Sequence, residues 1–218
     1  MCCRLLTLFA ILCLPLMAQA GDGDSIQAFT SQEIPDSVWL RMQGKTYLDN
    51  PHIGRCDLRY LRLLHYDLEG NVCQGEMVCN KLIADRLLDI FRQLYEARYP
   101  IERIQLADDF DADDERQMQA NNTSCFCYRV VAGSTKLSKH ARGLAVDINP
   151  LYNPCVRRRN GKLSIEPATA VPYVDRTGTF PCKIDTTDLA YRLFTANGFT
   201  WGGSWRTVKD YQHFEFAE

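Results

Sequence analysis

Apolar residues recur along this chain in two rhythms, and the clearest helical one runs from Asn80 to Ala97. There Leu82, Ile83, Leu87, Ile90, Phe91 and Leu94 fall three and four apart, so one helical face would carry them all, with Asn80 as cap. Tyr99-Pro100 closes this helix, because the residue before a proline avoids helical backbone. A second such pattern over Asp185–Asn197 sets Leu189, Leu193 and Phe194 inward, offers Thr186 or Thr187 as cap and stops at Gly198. Shorter helices are expected at Asp36–Met42 and near Asp113–Ala120.

The other rhythm has a period of two. Leu58–Asp67 reads as a strand that turns at Glu69-Gly70-Asn71 and continues from Gly75 to Val78. Ile101–Leu106, Ser124–Val131, Leu144–Ile148 and His213–Phe216 read as strands too, and Phe199–Trp205 as a strand and turn. In Leu144–Ile148 the alternation turns Leu144, Val146 and Ile148 toward a core and leaves Ala145 and Asp147 on the opposite face, where the small Ala145 makes room. By the same rule Arg129 points outward from its strand, and His213 and Glu215 share a face. Gly161–Lys183, with Pro167, Pro172 and Pro181, is a long connection of the kind that often borders binding sites. These elements predict an α+β fold, a single domain with a central antiparallel sheet flanked by helices.

The N-terminus departs from both rhythms. Arg4 precedes an apolar run from Leu5 to Met17, and Ala18-Gln19-Ala20 has the small-x-small form of a cleavage site. Residues 1–20 therefore read as a secretory signal peptide, since the run is short of the roughly 20 apolar residues that span a bilayer. Residues 21–33 are expected to form a flexible arm and 34–218 the folded domain. The mature chain is expected in the periplasm or outside the cell, with no stable membrane insertion. Cleavage removes Arg4 and no acid, leaving 24 basic against 27 acidic residues, which excludes the basic surplus of a nucleic-acid binder. Cys56, Cys73, Cys79, Cys125, Cys127, Cys155 and Cys182 remain, an odd number. Export makes disulfides the default reading, with Cys155–Cys182 and Cys73–Cys79 as the expected pairs.

Chemistry concentrates in Ser138-Lys-His140-Ala-Arg-Gly143-Leu-Ala145-Val-Asp147 and, far downstream, in Asp210-Tyr-Gln-His213-Phe-Glu215. Two histidines and a carboxylate suit a four-coordinate Zn2+ with one position left for water. Asp210, three residues before His213, is placed to serve as general base. At these residues the sequence resembles the M15 family of zinc peptidases, which comprises D-Ala-D-Ala carboxypeptidases, dipeptidases and L-alanyl-D-glutamate endopeptidases of bacterial cell walls. That family carries S-x-H-x-x-G-x-A-x-D and later an acidic residue, two positions and a His, and every one of those positions is filled here. More loosely the resemblance runs from Ile34 to Glu215, through Asn121–Ser124, Tyr128-Arg129, Leu151–Pro154 and Gly198–Gly203.

The resemblance implies a hedgehog/DD-peptidase-like fold, with His140, Asp147 and His213 as zinc ligands and Asp210 as catalytic acid/base. It also implies Arg129 as the arginine that steadies substrate or oxyanion, and peptidoglycan peptides as substrates. Asp210 stands where many members have Glu, which favours the endopeptidase branch, and Ser204 stands where that branch is often acidic. The same zinc-bearing fold serves in the amino-terminal domain of hedgehog proteins, where binding is the principal role. The presence of Asp210 favours the enzyme.

Overall fold

The longest hairpin begins where the alternation predicts it. In a computed structural model, whose described residues are 28–131, 133–159 and 161–217, Leu58–Tyr66 (β2) pairs antiparallel with Val72–Asn80 (β3) along its whole length. The turn between them is built by the Asp67 carboxylate, which accepts from the N–H groups of Glu69 and Asn71 at 3.0 and 2.8 Å. Thr30–Gln32 (β1) adds to the free edge of β2. The arm expected over 21–33 is thus corrected in its last part: Phe29 is buried and the backbone that follows it finds a strand to pair with. The expected signal peptide and residues 21–27 lie outside the described residues.

Asp36–Met42 (α1) forms where expected, and Ala84–Glu96 (α2) packs its stripe on the hairpin. Leu87, Ile90, Phe91 and Leu94 join Leu61, Leu63, Met77, Val146 and Ile148 in one core. The helix starts at Ala84 and not at Asn80, because Asn80 ends β3 opposite Leu58 and its N–H is taken by the Gly143 carbonyl. The Asn80 side chain still caps the turn by accepting from Leu82 N at 3.0 Å, and Leu82 itself is exposed.

Beyond α2, regular strands are shorter than expected. Arg103–Ile104 (β4) and Asn122–Thr123 (β5) make a two-stranded parallel pair. The strand expected over Ser124–Val131 is not one, because its N–H groups go to separate segments: Phe126 to Val78, Cys127 to His140 and Tyr128 to Thr46. Asp114–Gln119 (α3) is capped by Asp113, whose carboxylate accepts from Arg116 N.

The C-terminal half holds two more antiparallel sheets. Ala145–Asp147 (β6), Phe199–Trp201 (β9) and His213–Phe216 (β11) are ordered β6-β11-β9. Cys155–Arg159 (β7), Lys162–Glu166 (β8) and Val208–Asp210 (β10) are ordered β10-β7-β8, so the long connection contains a strand. Leu189–Ala196 (α4) takes Asp188 as its cap, since Thr187 bonds through its N–H and hydroxyl to Asp185. Phe194 of α4 stacks on Phe214 of β11 at 4.5 Å between ring centres. The α+β class and the antiparallel pairing hold, with the strands divided over three three-stranded sheets and the parallel pair.

The expected disulfides are not formed, and all seven described cysteines are free. Cys73 and Cys79 lie on one strand, where six residues span about 20 Å against the roughly 7 Å limit between bridged Cα atoms. Cys155 lies opposite Asp210 in the β7–β10 pair, whereas the Cys182 thiol faces the Pro100 carbonyl at 3.8 Å. Among the described residues no helix is long and apolar enough to cross a membrane.

Candidate metal centre

Register brings the two halves of the motif together. In the antiparallel pair of β6 and β11, His213 lies directly opposite Asp147, so both side chains rise from the same face. His140 arrives from a 3-10 turn, His140–Arg142, closed by Gly143 with φ +65° and by the Gly143 N–H donating to the His140 carbonyl. A side chain at Gly143 would put its Cβ 2.6 Å from the backbone nitrogen of Asn80, so the close approach to β3 also requires glycine. Leu144, Val146 and Ile148 are fully buried in the core as the alternation predicts.

His140 Nε2 lies 3.2 Å from His213 Nδ1 and 3.3 Å from Asp147 Oδ2, and His213 Nδ1 lies 3.0 Å from Asp147 Oδ1. Ligands about 2.0–2.1 Å from a tetrahedral ion stand roughly 3.3 Å from one another, so these spacings fit a common metal ion. The far side of each ring is tied. His140 Nδ1 is 2.7 Å from the Cys125 carbonyl, and His213 Nε2 is 3.2 Å from Glu215 Oε2. With a metal ion bound, each of these partners would take an N–H and leave the opposite nitrogen of its ring with a lone pair toward the cluster, as in metal sites whose outer partners fix the tautomer. Burial works against a charge on Asp147, yet the two imidazoles outweigh it and hold the carboxyl well below its usual range. In the same cluster burial opposes a proton on His213, but Asp147 and Glu215 push its pKa up to about 10. A metal ion would displace that proton.

Asp210, at the end of β10, lies beside His213 across Gly202: a Cβ on Gly202 would be 2.8 Å from Asp210 Cβ and 3.3 Å from His213 Cβ. Burial raises its pKa to about 6, against the opposing pull of His213 and the Cys155 thiol, and its Oδ1 has no hydrogen-bond partner. Arg129 sits in the wall of a small cleft that also includes His140 and Asp147. Its Nε is 2.6 Å from Asp114 Oδ2; burial works against both charges, leaving Asp114 above its ordinary pKa while the guanidinium stays protonated.

Residues 132–216 match a family model described as D-alanyl-D-alanine carboxypeptidase, of the M15 peptidases. Over that stretch the chain is similar to the M15 peptidases. No curated protein and no solved structure matches the chain. M15 peptidases are generally metal-dependent, and the matched stretch contains all three members of the His-Asp-His group together with Asp210. Arg129 and Asp114 precede it and reach the cleft through the fold.

Three features around the cluster escaped the sequence reading. Glu215 was visible as a neighbour of His213 on one face, but its role as that ring's partner was not. Ser204 is exposed and makes no part of the cluster. The Cys125 carbonyl is backbone and leaves no residue-type signal. Asp114 and the buried Gln117 come from α3, a helix expected near Asp113–Ala120 but given no part in the site.

Proposed function

We propose that this chain is an exported zinc peptidase that hydrolyses a peptide bond in the stem or crosslink of peptidoglycan, at or beside a D-amino acid. His140, Asp147 and His213 hold the ion, Asp210 is the acid/base, and Arg129 steadies the substrate. The observation that carries this reading is the close approach of two imidazole nitrogens and the Asp147 carboxylate, at 3.0–3.3 Å, with the outer nitrogen of each ring tied and the buried Asp210 carboxyl alongside.

Zinc in such a site supplies Lewis acidity, which acidifies water and polarises a carbonyl. Asp210, with a pKa of about 6, is ionised at neutral pH and basic enough to take a proton from the attacking water. Having taken it, the same carboxyl delivers it to the departing amine nitrogen, which closes the proton balance of hydrolysis. The free Oδ1 of Asp210 is the atom available for this exchange. Arg129, locked by Asp114 at one nitrogen, offers its remaining N–H groups to a substrate oxygen on which negative charge develops.

The test uses purified, zinc-loaded protein and muropeptides, with products read by mass spectrometry. Hydrolysis is expected with zinc and absent after chelation. Asp210→Asn is expected to lower kcat by about 10²–10⁴-fold while retaining one zinc per chain. Unchanged hydrolysis by that variant excludes Asp210 as the base, and zinc binding without hydrolysis by the parent transfers the fold to a binding role.

A further inference from the structure

Two glutamines in the wall of the cleft have no part in the mechanism above. Gln117 on α3 is 4% exposed and Gln212, in the turn before β11, is 2% exposed. The Oε1 atom of each is shut off from solvent and accepts no hydrogen bond. The Gln212 amide donates to the Met118 sulfur at 3.5 Å, which orients the side chain and leaves its oxygen free. Folded proteins rarely bury an acceptor without a partner, because the lost hydration is not repaid. Both residues line one small cleft, with His140 and Asp147 in the same wall, and their unpartnered oxygens point to a partner that enters with the substrate.

That partner must bring N–H groups to these oxygens, as a primary amide or an amine does. Charge decides between them. The carboxylates lining the cleft are Asp114, held 2.6 Å from Arg129, and Asp147, held between two imidazoles. An ammonium would lie against two neutral oxygens with both nearby anions already engaged, so its desolvation would go unpaid. A neutral carboxamide avoids that cost. Its own oxygen can accept from Arg129, whose guanidinium has five N–H groups and is held beside Asp114 as an ion pair at 2.6 Å.

We propose that Gln117 and Gln212 form a recognition site for a primary carboxamide on the wall peptide, so that the enzyme selects amidated peptides over their free acids. This rests on the peptidase reading above. The probes are two synthetic stem peptides identical except for one side-chain carboxyl, free in one and a primary amide in the other. A third carries an amine at that place. Their kcat and KM are measured with the zinc-loaded parent, Gln117→Leu and Gln212→Leu.

The expected result is a KM on the order of tenfold lower for the amide with the parent. In either variant that ratio falls to within about twofold, while kcat for the free acid and zinc content stay near the parent's, as expected when only ground-state binding is removed. Leucine keeps the volume and removes the orphaned oxygen, so the melting temperature without peptide is expected to hold or rise. Equal KM values for amide and acid with the parent, preference for the amine, or variants that keep the amide ratio overturn the proposal. So does a fall of roughly 5 °C or more in both variants, which would assign the glutamines to the fold. If the parent cleaves none of the peptides, the peptidase reading has failed. Calorimetric titration of the same peptides then decides the carboxamide site: tighter amide binding that is lost in Gln212→Leu supports it, and equal binding overturns it.

Discussion

Gly202 sets the spacing between Asp210 and His213, and Gly202→Ala measures how much that spacing matters. The added Cβ would lie 2.7 Å from the Asp210 carbonyl oxygen, 2.8 Å from Asp210 Cβ and 3.3 Å from His213 Cβ. Ordinary contact begins near 3.4 Å, so the end of β10 must retreat by about 0.6 Å. The glycine cannot easily yield instead. Trp201 before it is anchored by its indole N–H on the Tyr211 carbonyl at 2.9 Å and by pairing opposite Phe214. Overpacking of this kind costs about 1–3 kcal/mol. For a chain of this size each kcal/mol lowers the melting temperature by about 2–4 °C, so a fall of about 2–12 °C is expected. A misplacement approaching 1 Å costs up to about 10²-fold in kcat, which sets the ceiling for a 0.6 Å retreat. Differential scanning calorimetry and chelator competition for zinc read the stability and the ligand geometry separately from turnover. Gly178→Ala is the control, since a Cβ there meets nothing within 4 Å and the change should stay within about 0.5 kcal/mol. A Gly202→Ala protein with the parent's melting temperature and zinc affinity would refute the claim that this contact spaces the site.

Glu215→Gln replaces the anion on His213 Nε2 with a neutral amide, and zinc affinity is expected to fall about 10–100-fold in competition with a chromogenic chelator. An affinity within twofold of the parent's would show that Glu215 does not support the ring. His65 is buried, with Nδ1 2.6 Å from the Ile101 carbonyl, and burial holds its pKa below the ordinary value of about 6.5 despite Ile101, Tyr66 and Asp67. Below pH 6.5 the unfolded chain therefore binds a proton that the folded chain resists, so His65 costs stability as pH falls and contributes no slope above it. Urea unfolding from pH 7.5 to 5 is expected to show less loss of stability on acidification in His65→Gln than in the parent, and identical slopes would dismiss the effect.

Some elements were legible in the residues and others could not be. The β2–β3 hairpin and α2 are long enough for periodicity to speak, and the placement of Leu144, Val146 and Ile148 in the core followed from alternation alone. The backbone from 124 to 130 failed that test because its partners are Asp147, Val78, His140 and Thr46, which no local pattern announces. The first turn of α2 was misread for a related reason: Asn80 is a good cap by type, but its backbone was already committed to β3 and Gly143. Disulfide pairing failed because it depends on distances between strands, and Cys73 and Cys79 are held apart by the strand they share.

The candidate site divides along the same line. A ligand set is a matter of residue type and offset, so His140, Asp147 and His213 could be picked out before their convergence was known. The strength of the base is a matter of packing. Asp210 lies opposite Cys155 where β10 pairs with β7, against Gly202 on one side and near His213, and it is this enclosure that raises an ordinary carboxyl to about 6. The same carboxyl in an open loop would titrate near 3.9 and be a far weaker proton acceptor. The unpartnered oxygens of Gln117 and Gln212 follow the same logic: a glutamine is unremarkable by type and becomes informative only when the fold buries its acceptor without a donor. In this chain the candidate ion-holding residues are written in the motif, whereas the surroundings of Asp210, Gln117 and Gln212 come from strands and helices the motif does not contain.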